Sequence, residues 1–395
     1  MLCACSSTKH VPQDKLLVNK VNINVKDNKE YKGSQLINYL KQLPNHTVLG
    51  GMKLQLGFYN LSGKDTTKRI NRWIRKMGEA PVIYNQTLTD ASIKELKTLF
   101  INKGYMGVKV NADTSINANK RKIDITYNIT TGEPHHIKSI TYNIPNDTLR
   151  KLILADTVNS KIKPNTIFDR NLLSSQRDEI TKKLREQGYY AFNKEYITFT
   201  ADTTEGSKDV DLTLNTMPPY NNEKMKYYTS HKPFYVRNVI FVTNYDPVTM
   251  HGPSQYTAQD TSYYKNIIVL YDESHYIRRK ALEECCFIEP GKLYNSNDVT
   301  KTYQALGRLG ILKFINIELN PLGEIDGKIW LDTYVLISPG KSQAITLSLE
   351  GTNSEGDLGF GVGAGYQHRN IAGGAEVLNT KFKASYESIS GDLNG

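Results

Sequence analysis

Apolar residues recur along this chain with two periods, one typical of helices and the other typical of strands. Three segments have apolar residues three, four or seven positions apart, at Ile93, Leu96 and Phe100, at Leu173, Ile180 and Leu184, and at Val299, Tyr303 and Leu306. Three later segments, residues 123–129, 210–214 and 329–335, alternate apolar and polar residues. The pattern predicts three amphipathic helices, each of which covers one face of a half-buried sheet.

The same order of elements occurs three times. Each helix follows an aromatic residue and an Asn or Asp, and each ends at a glycine, at Gly104, Gly188 and Gly310. Asn and Asp cap helix starts, and glycine ends helices, so these residues mark both ends. A strand and a first helix come before each of them, at 21–25 and 35–43, at 140–144 and 147–155, and at 236–241 and 275–286. Two strands follow each glycine, which predicts an α+β chain of three β-α-α-β-β units.

This order, with the Gly-aromatic pairs at Gly104 and Gly188, resembles the POTRA (polypeptide-transport-associated) domain. The resemblance implies one domain over residues 15–133, with an insertion at about 44–77. It implies a second domain over 134–219 and a third over 220–341, with a Tyr-rich insertion at about 245–264. Neither insertion is typical of the family.

Helical periodicity stops at about residue 342. Residues 344–349 and 381–387 alternate, and residues 359–366 place glycines on one face and larger residues on the other. Such segments are typical of transmembrane β-barrel strands. The turn between residues 366 and 381 resembles the early hairpin of the bacterial surface-antigen barrel. Its matching residues are Asn370, Gly373, Gly374 and Glu376, and Ala372 stands in place of the usual aromatic residue. We expect residues 342–395 to form about the first three strands of an outer-membrane barrel.

POTRA repeats followed by a barrel start resemble the BamA/TamA family of outer-membrane assembly proteins, over about residues 3–395. The family's barrel has sixteen strands, so we expect a fragment, a truncated gene model or a split gene. The resemblance implies a protein of the Gram-negative outer membrane whose POTRA domains lie in the periplasm. It also implies that unfolded outer-membrane proteins, other assembly-machinery subunits and outer-membrane lipid are its partners, and that it assists insertion. The alternatives are a lipid-anchored periplasmic scaffold without insertion activity and a two-partner secretion transporter.

The start of the chain resembles the end of a bacterial lipoprotein signal, because Leu2 and Ala4 precede Cys5 with the expected spacing. The charged and apolar parts of such a signal are missing, so we expect the true start to lie upstream of Met1. Acylation of Cys5 would tether the protein to a membrane by lipid. Residues 1–14 are then a lipobox remnant and a tether, and the resemblance narrows to lipoprotein-type, TamA-like members.

Most of the net charge of +10 lies at the start of the chain, since residues 1–80 hold 14 Lys and Arg against five Asp and Glu. Basic residues share one predicted helix with Ile70 and Trp73; they are Lys68, Arg69, Arg72, Arg75 and Lys76. A basic amphipathic helix can lie on an anionic membrane. The alternative is a solvated face over a small core. Nucleic acid is not an expected partner, because a matching fold and an aromatic platform are missing.

A β-α-α-β-β sheet has an edge strand with unpaired main-chain groups, to which an extended client can add itself as a further strand. The order of strands predicts such edges at residues 106–110 and 196–200. The candidate residues are Met106, Val108, Val110, Tyr196, Thr198 and Thr200. The alternative is that these strands merely pair with neighbouring domains.

The sequence contains no pattern typical of an active site. The glycines at 359–365 do not match a dinucleotide-binding loop, and His135 and His136 have no carboxylate at metalloprotease spacing. Cys285 and Cys286 do not have zinc-site spacing and close a predicted helix, so we expect one buried and one partly exposed thiol. We therefore expect no enzyme, no cofactor and no metal.

Overall fold

The computed structural model describes residues 7–48, 52–63, 65–204, 206–219, 230–272, 275–354 and 357–387. The chain divides into two compact units, the first drawn from Met1–Asn143, Val158–Gln176 and Thr198–Asn215, the second from Ile144–Thr157, Arg177–Ile197 and Thr216–Gly395. The α+β class with β-α-α-β-β units is confirmed. The domain boundaries stay a prediction. None of the helices in the described ranges is both long and apolar enough to cross a bilayer.

The first repeat is a three-stranded sheet covered by one long helix. Its elements are β1 (Leu17–Val25), α1 (Gly33–Leu36), α4 (Gln86–Asn102), β2 (Lys109–Asn117) and β3 (Lys122–Thr130). The strand order is β1-β3-β2, with β1 parallel and β2 antiparallel to β3. Asn85 caps α4 by accepting the Thr87 N–H, and Phe100 of α4 lies buried in one core with Ile125 and Tyr127. The first helix is shorter than predicted, because a 3₁₀ turn over Ile37–Tyr39 replaces its second half.

The insertion in the first repeat folds as two helices, α2 (Leu54–Leu61) and α3 (Arg69–Met77). We refer to residues 52–77 as the helical hairpin. Leu56 of α2 is buried in a small cluster with Val11 and Leu17. The insertion therefore has its own packing against the start of the chain.

The second repeat has the same sheet topology. Its elements are β4 (His136–Asn143), α5 (Asp147–Ala155), α6 (Arg170–Glu186), β5 (Ile197–Asp202) and β6 (Asp209–Thr216). The strand order is β4-β6-β5. Ile137, Phe168 and Leu212 are buried in one apolar cluster of the first unit. The second repeat thus places β5 at a sheet edge, as β2 is placed in the first.

The third repeat carries two additional strands. Its elements are β7 (Phe234–Val242), β8 (Asp260–Tyr264), β9 (Ile267–Tyr271), α7 (Arg279–Glu284), α8 (Ser296–Gly307), β10 (Leu312–Ile325) and β11 (Lys328–Pro339). The order is β10-β11-β7-β9-β8, so a β-hairpin that begins in the Tyr-rich insertion extends the sheet beyond β7. The first helix is shorter than predicted, because Arg278 is extended and donates its N–H to the Gly373 carbonyl.

The last described strands form a separate antiparallel sheet in the second unit. They are β12 (Gln343–Ser354), β13 (Asp357–His368) and β14 (Leu378–Glu387), in that order. The segments in which apolar and polar residues alternate form three long strands, as predicted. Their membership of a barrel stays a prediction.

The glycines that follow two of the long helices connect one repeat to the chain that enters the next. Gly104 has a φ of 92°, and its carbonyl accepts the His135 N–H at 2.9 Å. Gly188 has a φ of 99° and accepts the Phe234 N–H at 2.8 Å. A Cβ at Gly104 would lie 2.7 Å from the Phe168 carbonyl oxygen. Both the backbone conformation and the close approach therefore require glycine here.

We expect Gly104→Ala to destabilise the first unit by roughly 1–3 kcal/mol, because alanine is strained at this φ and meets the Phe168 carbonyl. Hydrogen exchange of the β1, β3 and β4 amides, followed by mass spectrometry, measures the change. Gly107→Ala is the matched control three residues away, since its Cβ would meet nothing within 4 Å. Equal exchange rates in the two variants would contradict this explanation of Gly104.

Candidate strand edges and exposed apolar surfaces

The leading strand of each repeat has its free edge closed by the segment that precedes the second helix. The closing bonds run from the Val18, Ile137 and Val236 N–H groups to the carbonyls of Val82, Thr166 and Lys292, at 2.9, 2.8 and 2.9 Å. In the third repeat β9 also pairs with β7 over Ile240–Val242. These bonds satisfy main-chain groups that would otherwise accept a foreign strand.

The opposite edges are open in the part of the chain that the structure describes. β2, β5 and β10 each lie at the end of their strand order. Sequence reasoning predicted the first two edges. It did not name β10, although β10 holds the same topological position in the third repeat.

The six predicted edge residues differ in their placement. Met106 and Val108 precede β2, and Tyr196 ends a 3₁₀ turn before β5. Val108, Val110 and Tyr196 are buried, because their side chains pack inward. Those three side chains therefore belong to the core, and client pairing through the main chain at these positions stays a prediction. Thr198 and Thr200 are exposed on β5 and stay a prediction.

The three open edges differ in how they resist pairing with another chain. β2 carries Lys109 and Asp113, and charged side chains discourage edge-to-edge pairing. β10 carries Pro321 beside a register shift, and proline and bulges have the same effect. The first five residues of β5, Ile-Thr-Phe-Thr-Ala, are uncharged and contain neither proline nor glycine. β5 is therefore the least protected of the three.

The β12–β14 sheet has one apolar and one polar face. On β12, Ile345, Leu347 and Leu349 are 77–87% exposed. They pair with Tyr366, Ala364 and Val362 of β13, and Phe382 and Tyr386 of β14 extend the same face. Neighbouring Cβ atoms on one face are close enough to form a continuous surface. An exposed apolar surface of this kind indicates a partner or a lipid environment.

The polar face of the same sheet explains the glycines of β13. A Cβ at Gly363 would lie 2.5 Å from Ser348 Oγ, so the β12 side chain fills the space above this glycine. Lys383 of β14 donates to Glu350 of β12 across β13 at 2.5 Å. Glycine on β13 therefore lets side chains of the two outer strands approach each other.

The predicted hairpin motif forms the loop between β13 and β14, and this loop contacts the third repeat. Asn370 Nδ2 donates to the Tyr276 carbonyl at 2.5 Å, and its Oδ1 accepts the Ala375 N–H at 2.9 Å. The Gly373 carbonyl accepts the Arg278 N–H at 2.7 Å. The loop thereby fastens the β12–β14 sheet to the segment before α7.

Glu376 holds the same loop from inside. Its carboxylate accepts the Gly374 N–H at 3.0 Å and the Ala372 N–H at 3.3 Å. Bonds from the Glu376 and Gly374 N–H groups hold the pKa of this carboxyl below its ordinary value, because they favour the charged form. Ala375 has a φ of 62° and packs against the core of the third repeat. All four predicted motif residues therefore lie in one ordered turn.

The predicted basic helix is present as α3, with one change. Lys68, Arg69, Arg72 and Lys76 are exposed, and so is Trp73. Arg75 is instead turned inward and donates to Ser62 Oγ at 3.1 Å and to the Gly63 carbonyl at 2.9 Å. Cys5, the predicted lipidation site, lies outside the described residues.

The described residues contain no group of three His, Cys, Asp or Glu side chains that could hold a metal ion. Cys285 and Cys286 are free and both residues are partly exposed, whereas one of the two thiols was expected to be buried. Burial raises the pKa of the Cys286 thiol to about 11. That thiol is thus a poor nucleophile at neutral pH.

Comparison with known proteins finds a family model that matches part of the chain. Residues 18–132 match the family model described as POTRA, surface antigen variable number repeat. This match confirms the POTRA resemblance over those residues, and BamA, Omp85 and CdiB are among the similar structures. No curated protein sequence matches the chain.

Three solved structures illustrate the similarity. POTRA domains 3–5 of Haemophilus influenzae BamA are 14% identical in sequence to this chain, with a TM-score of 0.37. The match covers 83% of this chain and 99% of the BamA chain. Haemophilus ducreyi BamA lacking POTRA domains 1–3 is 11% identical, with a TM-score of 0.36 and coverages of 64% and 43%. CdiB from Acinetobacter baumannii is 11% identical, with a TM-score of 0.30 and coverages of 64% and 38%.

We expect Asn370→Ala to loosen the loop at 369–377, because it removes two hydrogen bonds worth roughly 0.5–1.5 kcal/mol each. Amide exchange in the loop and at Arg278 should accelerate about 5- to 150-fold. Asn370→Asp should give an intermediate rate, since it keeps the acceptor for Ala375 and loses the donor to Tyr276. Asn379→Ala, at an exposed position of β14, is the control. Unchanged exchange in Asn370→Ala would show that the loop does not depend on this side chain.

Proposed function

We propose that this chain, which carries a POTRA domain, works in outer-membrane protein assembly or secretion and holds unfolded client strands on open sheet edges. The observation that carries the proposal is the β5 edge, whose first five residues are uncharged, which contains no proline and which has no strand partner on its outer side in the described residues. The closed leading edges of the first two repeats support it, because they leave β2 and β5 as the open edges of those two sheets.

Recognition on such an edge uses the main chain. An extended client aligns its N–H and C=O groups with those of β5 and adds one strand to the β4-β6-β5 sheet. Each such bond contributes roughly 0.5–1.5 kcal/mol, and association costs several kcal/mol, so a six-residue edge binds weakly and reversibly. Weak binding with little dependence on client sequence suits a protein that passes its clients on.

The β12–β14 sheet supports a place at a membrane. Its apolar face is exposed over three strands, as expected of strands that face hydrocarbon in the outer membrane. In this proposal the repeats lie in the periplasm of a Gram-negative bacterium, and acylation of Cys5 provides a second attachment. Insertion of clients would then occur beside this sheet, with other assembly subunits as partners.

The β5 edge can be tested with a defined probe, a fluorescent peptide with the alternating sequence of residues 343–354. We expect a photo-crosslinking amino acid at position 198 or 200 of the full chain to capture this peptide, because both side chains border the open edge. The same amino acid at Lys182, which is exposed on α6, is the control. Crosslinks are read by gel and mass spectrometry. Equal capture at all three positions would count against an edge-specific site.

A second pair of variants separates main-chain pairing from side-chain contact. Thr200→Pro and Ala201→Pro remove N–H groups that point to opposite sides of β5. The variant that keeps normal hydrogen exchange in β6 has lost the outward N–H, and its peptide affinity should fall about 2- to 12-fold, as expected for one hydrogen bond. Unchanged affinity in that variant would refute strand augmentation at β5.

A further inference from the structure

The helical hairpin exposes an apolar surface that its own folding does not require. On α2, Leu54, Phe58 and Leu61 follow helical spacing, and on α3, Ile70, Trp73 and Met77 do the same. Leu54 and Leu61 are each 57% exposed, Ile70 is 73% exposed and Trp73 is 58% exposed. The rings of Phe58 and Trp73 contact each other edge-to-face at 6.2 Å. The two stripes therefore meet and form one apolar patch across both helices.

The fold of the hairpin depends on other residues. Leu56 is buried on the opposite side of α2 with Val11 and Leu17. Arg75 ties the connection to α3 through its bonds to Ser62 and Gly63, and it lies 5.6 Å from the Tyr59 ring. The exposed apolar side chains are thus additional to the packing that holds the two helices together.

The charged residues of α3 all have the same sign. The nine residues of α3 include four basic residues and no acidic one, and Lys68 precedes them. On the helix, Arg69 and Lys76 are neighbours of Trp73, because they lie four positions before it and three after it, and Arg72 lies on the same side as Arg69 and Lys76. An apolar stripe bordered by exposed cations matches the interface of an anionic bilayer in both chemistry and charge.

The start of the chain is fastened to this same hairpin. Lys9 Nζ donates to the carbonyls of Asn60 and Ser62 at 2.7 and 3.0 Å. His10 lies against the Tyr59 ring, with 5.5 Å between ring centroids. Cys5 is four residues before Lys9 in the sequence. A lipid attached at Cys5 would therefore hold the hairpin next to a membrane surface.

We propose that the helical hairpin is a membrane-docking element whose occupant is an anionic phospholipid surface. The stripes on α2 and α3 enter the boundary between headgroups and acyl chains, and Trp73 lies at that depth. Lys68, Arg69, Arg72 and Lys76 reach the lipid phosphates. The docking needs neither client binding at β5 nor acylation of Cys5. Its test is therefore independent of the test of the proposed function.

Trp73 provides a direct readout, because the chain has two tryptophans and Trp330→Phe leaves it as the single emitter. The full chain carrying Cys5→Ser and Trp330→Phe is mixed with vesicles of phosphatidylglycerol and phosphatidylethanolamine. We expect a blue shift of Trp73 emission, quenching by lipids brominated near the headgroup end of the acyl chain, and loss of both effects at about 0.5 M salt, where charges are strongly screened. Membrane contact by the β12–β14 sheet alone would not produce this signal.

Matched variants test the charge and the stripe separately. Arg69→Gln with Arg72→Gln should weaken vesicle affinity about 25-fold, since each cation near an anionic surface contributes about fivefold. Lys161→Gln with Lys163→Gln removes the same charge from exposed positions outside the hairpin and should leave the affinity unchanged. Ile70→Ser should reduce the affinity without changing its salt dependence. Circular dichroism verifies that each variant is folded.

Three results would overturn the proposal. One is flotation of the protein with vesicles while Trp73 emission stays unchanged, because another part of the chain would then be the membrane contact. Another is equal binding to neutral phosphatidylcholine vesicles, which would remove the role of the basic residues. The third is an equal loss of affinity in the two double variants, which would reduce the effect to overall charge.

Discussion

Unpaired main-chain N–H and C=O groups at sheet edges are the constraint on which this structure depends. In each repeat the segment before the second helix donates or accepts main-chain hydrogen bonds with the leading strand, which is an edge strand in the first two repeats and lies beside β9 in the third. The same bond recurs at Val18, Ile137 and Val236. This closure fixes where the second helix begins, and it leaves the other edge of each sheet available.

The open edges β2, β5 and β10 differ in the features that discourage pairing with another chain. β2 is bordered by charge, and β10 contains a proline and a register shift. The third repeat also covers β7 with an inserted β-hairpin. Among β2, β5 and β10, β5 combines an uncharged run of five residues with the absence of proline. β5 is therefore the least protected of these three edges.

The β12–β14 sheet and the helical hairpin each expose an apolar surface, and the two surfaces differ in the charges beside them. The surface of the β12–β14 sheet is backed by a polar face with the Lys383–Glu350 pair, as expected when one side of a sheet meets water and the other does not. The part of the hairpin surface formed by α3 is bordered by basic residues and by no acidic residue of that helix. The first matches hydrocarbon, and the second matches a charged interface.

Local signals predicted much of the fold, because they act over a few residues. Asn85 and Asn295 cap their helices as their positions indicate, and Gly104, Gly188 and Gly310 adopt the positive φ expected of helix ends. The first helices of the first and third repeats are shorter than predicted. A 3₁₀ turn competes with helix formation in the first repeat, and the Arg278–Gly373 bond does so in the third. The β8–β9 pairing was not predicted, since its insertion lacks a repeat to compare it with.

For the candidate site too, some features follow from the sequence and others only from the tertiary structure. Periodicity by itself determined which segments are strands, which faces are apolar and that Trp73 shares a helix with basic residues, because these properties follow from spacing along one chain. Only the tertiary structure decided that Tyr196 and Val108 are core residues, that β10 is a third open edge, that Arg75 is turned inward and that the loop at Asn370 contacts Tyr276. Those outcomes depend on hydrogen bonds and packing between segments far apart in sequence, and the free energy of such contacts is not encoded in any local pattern.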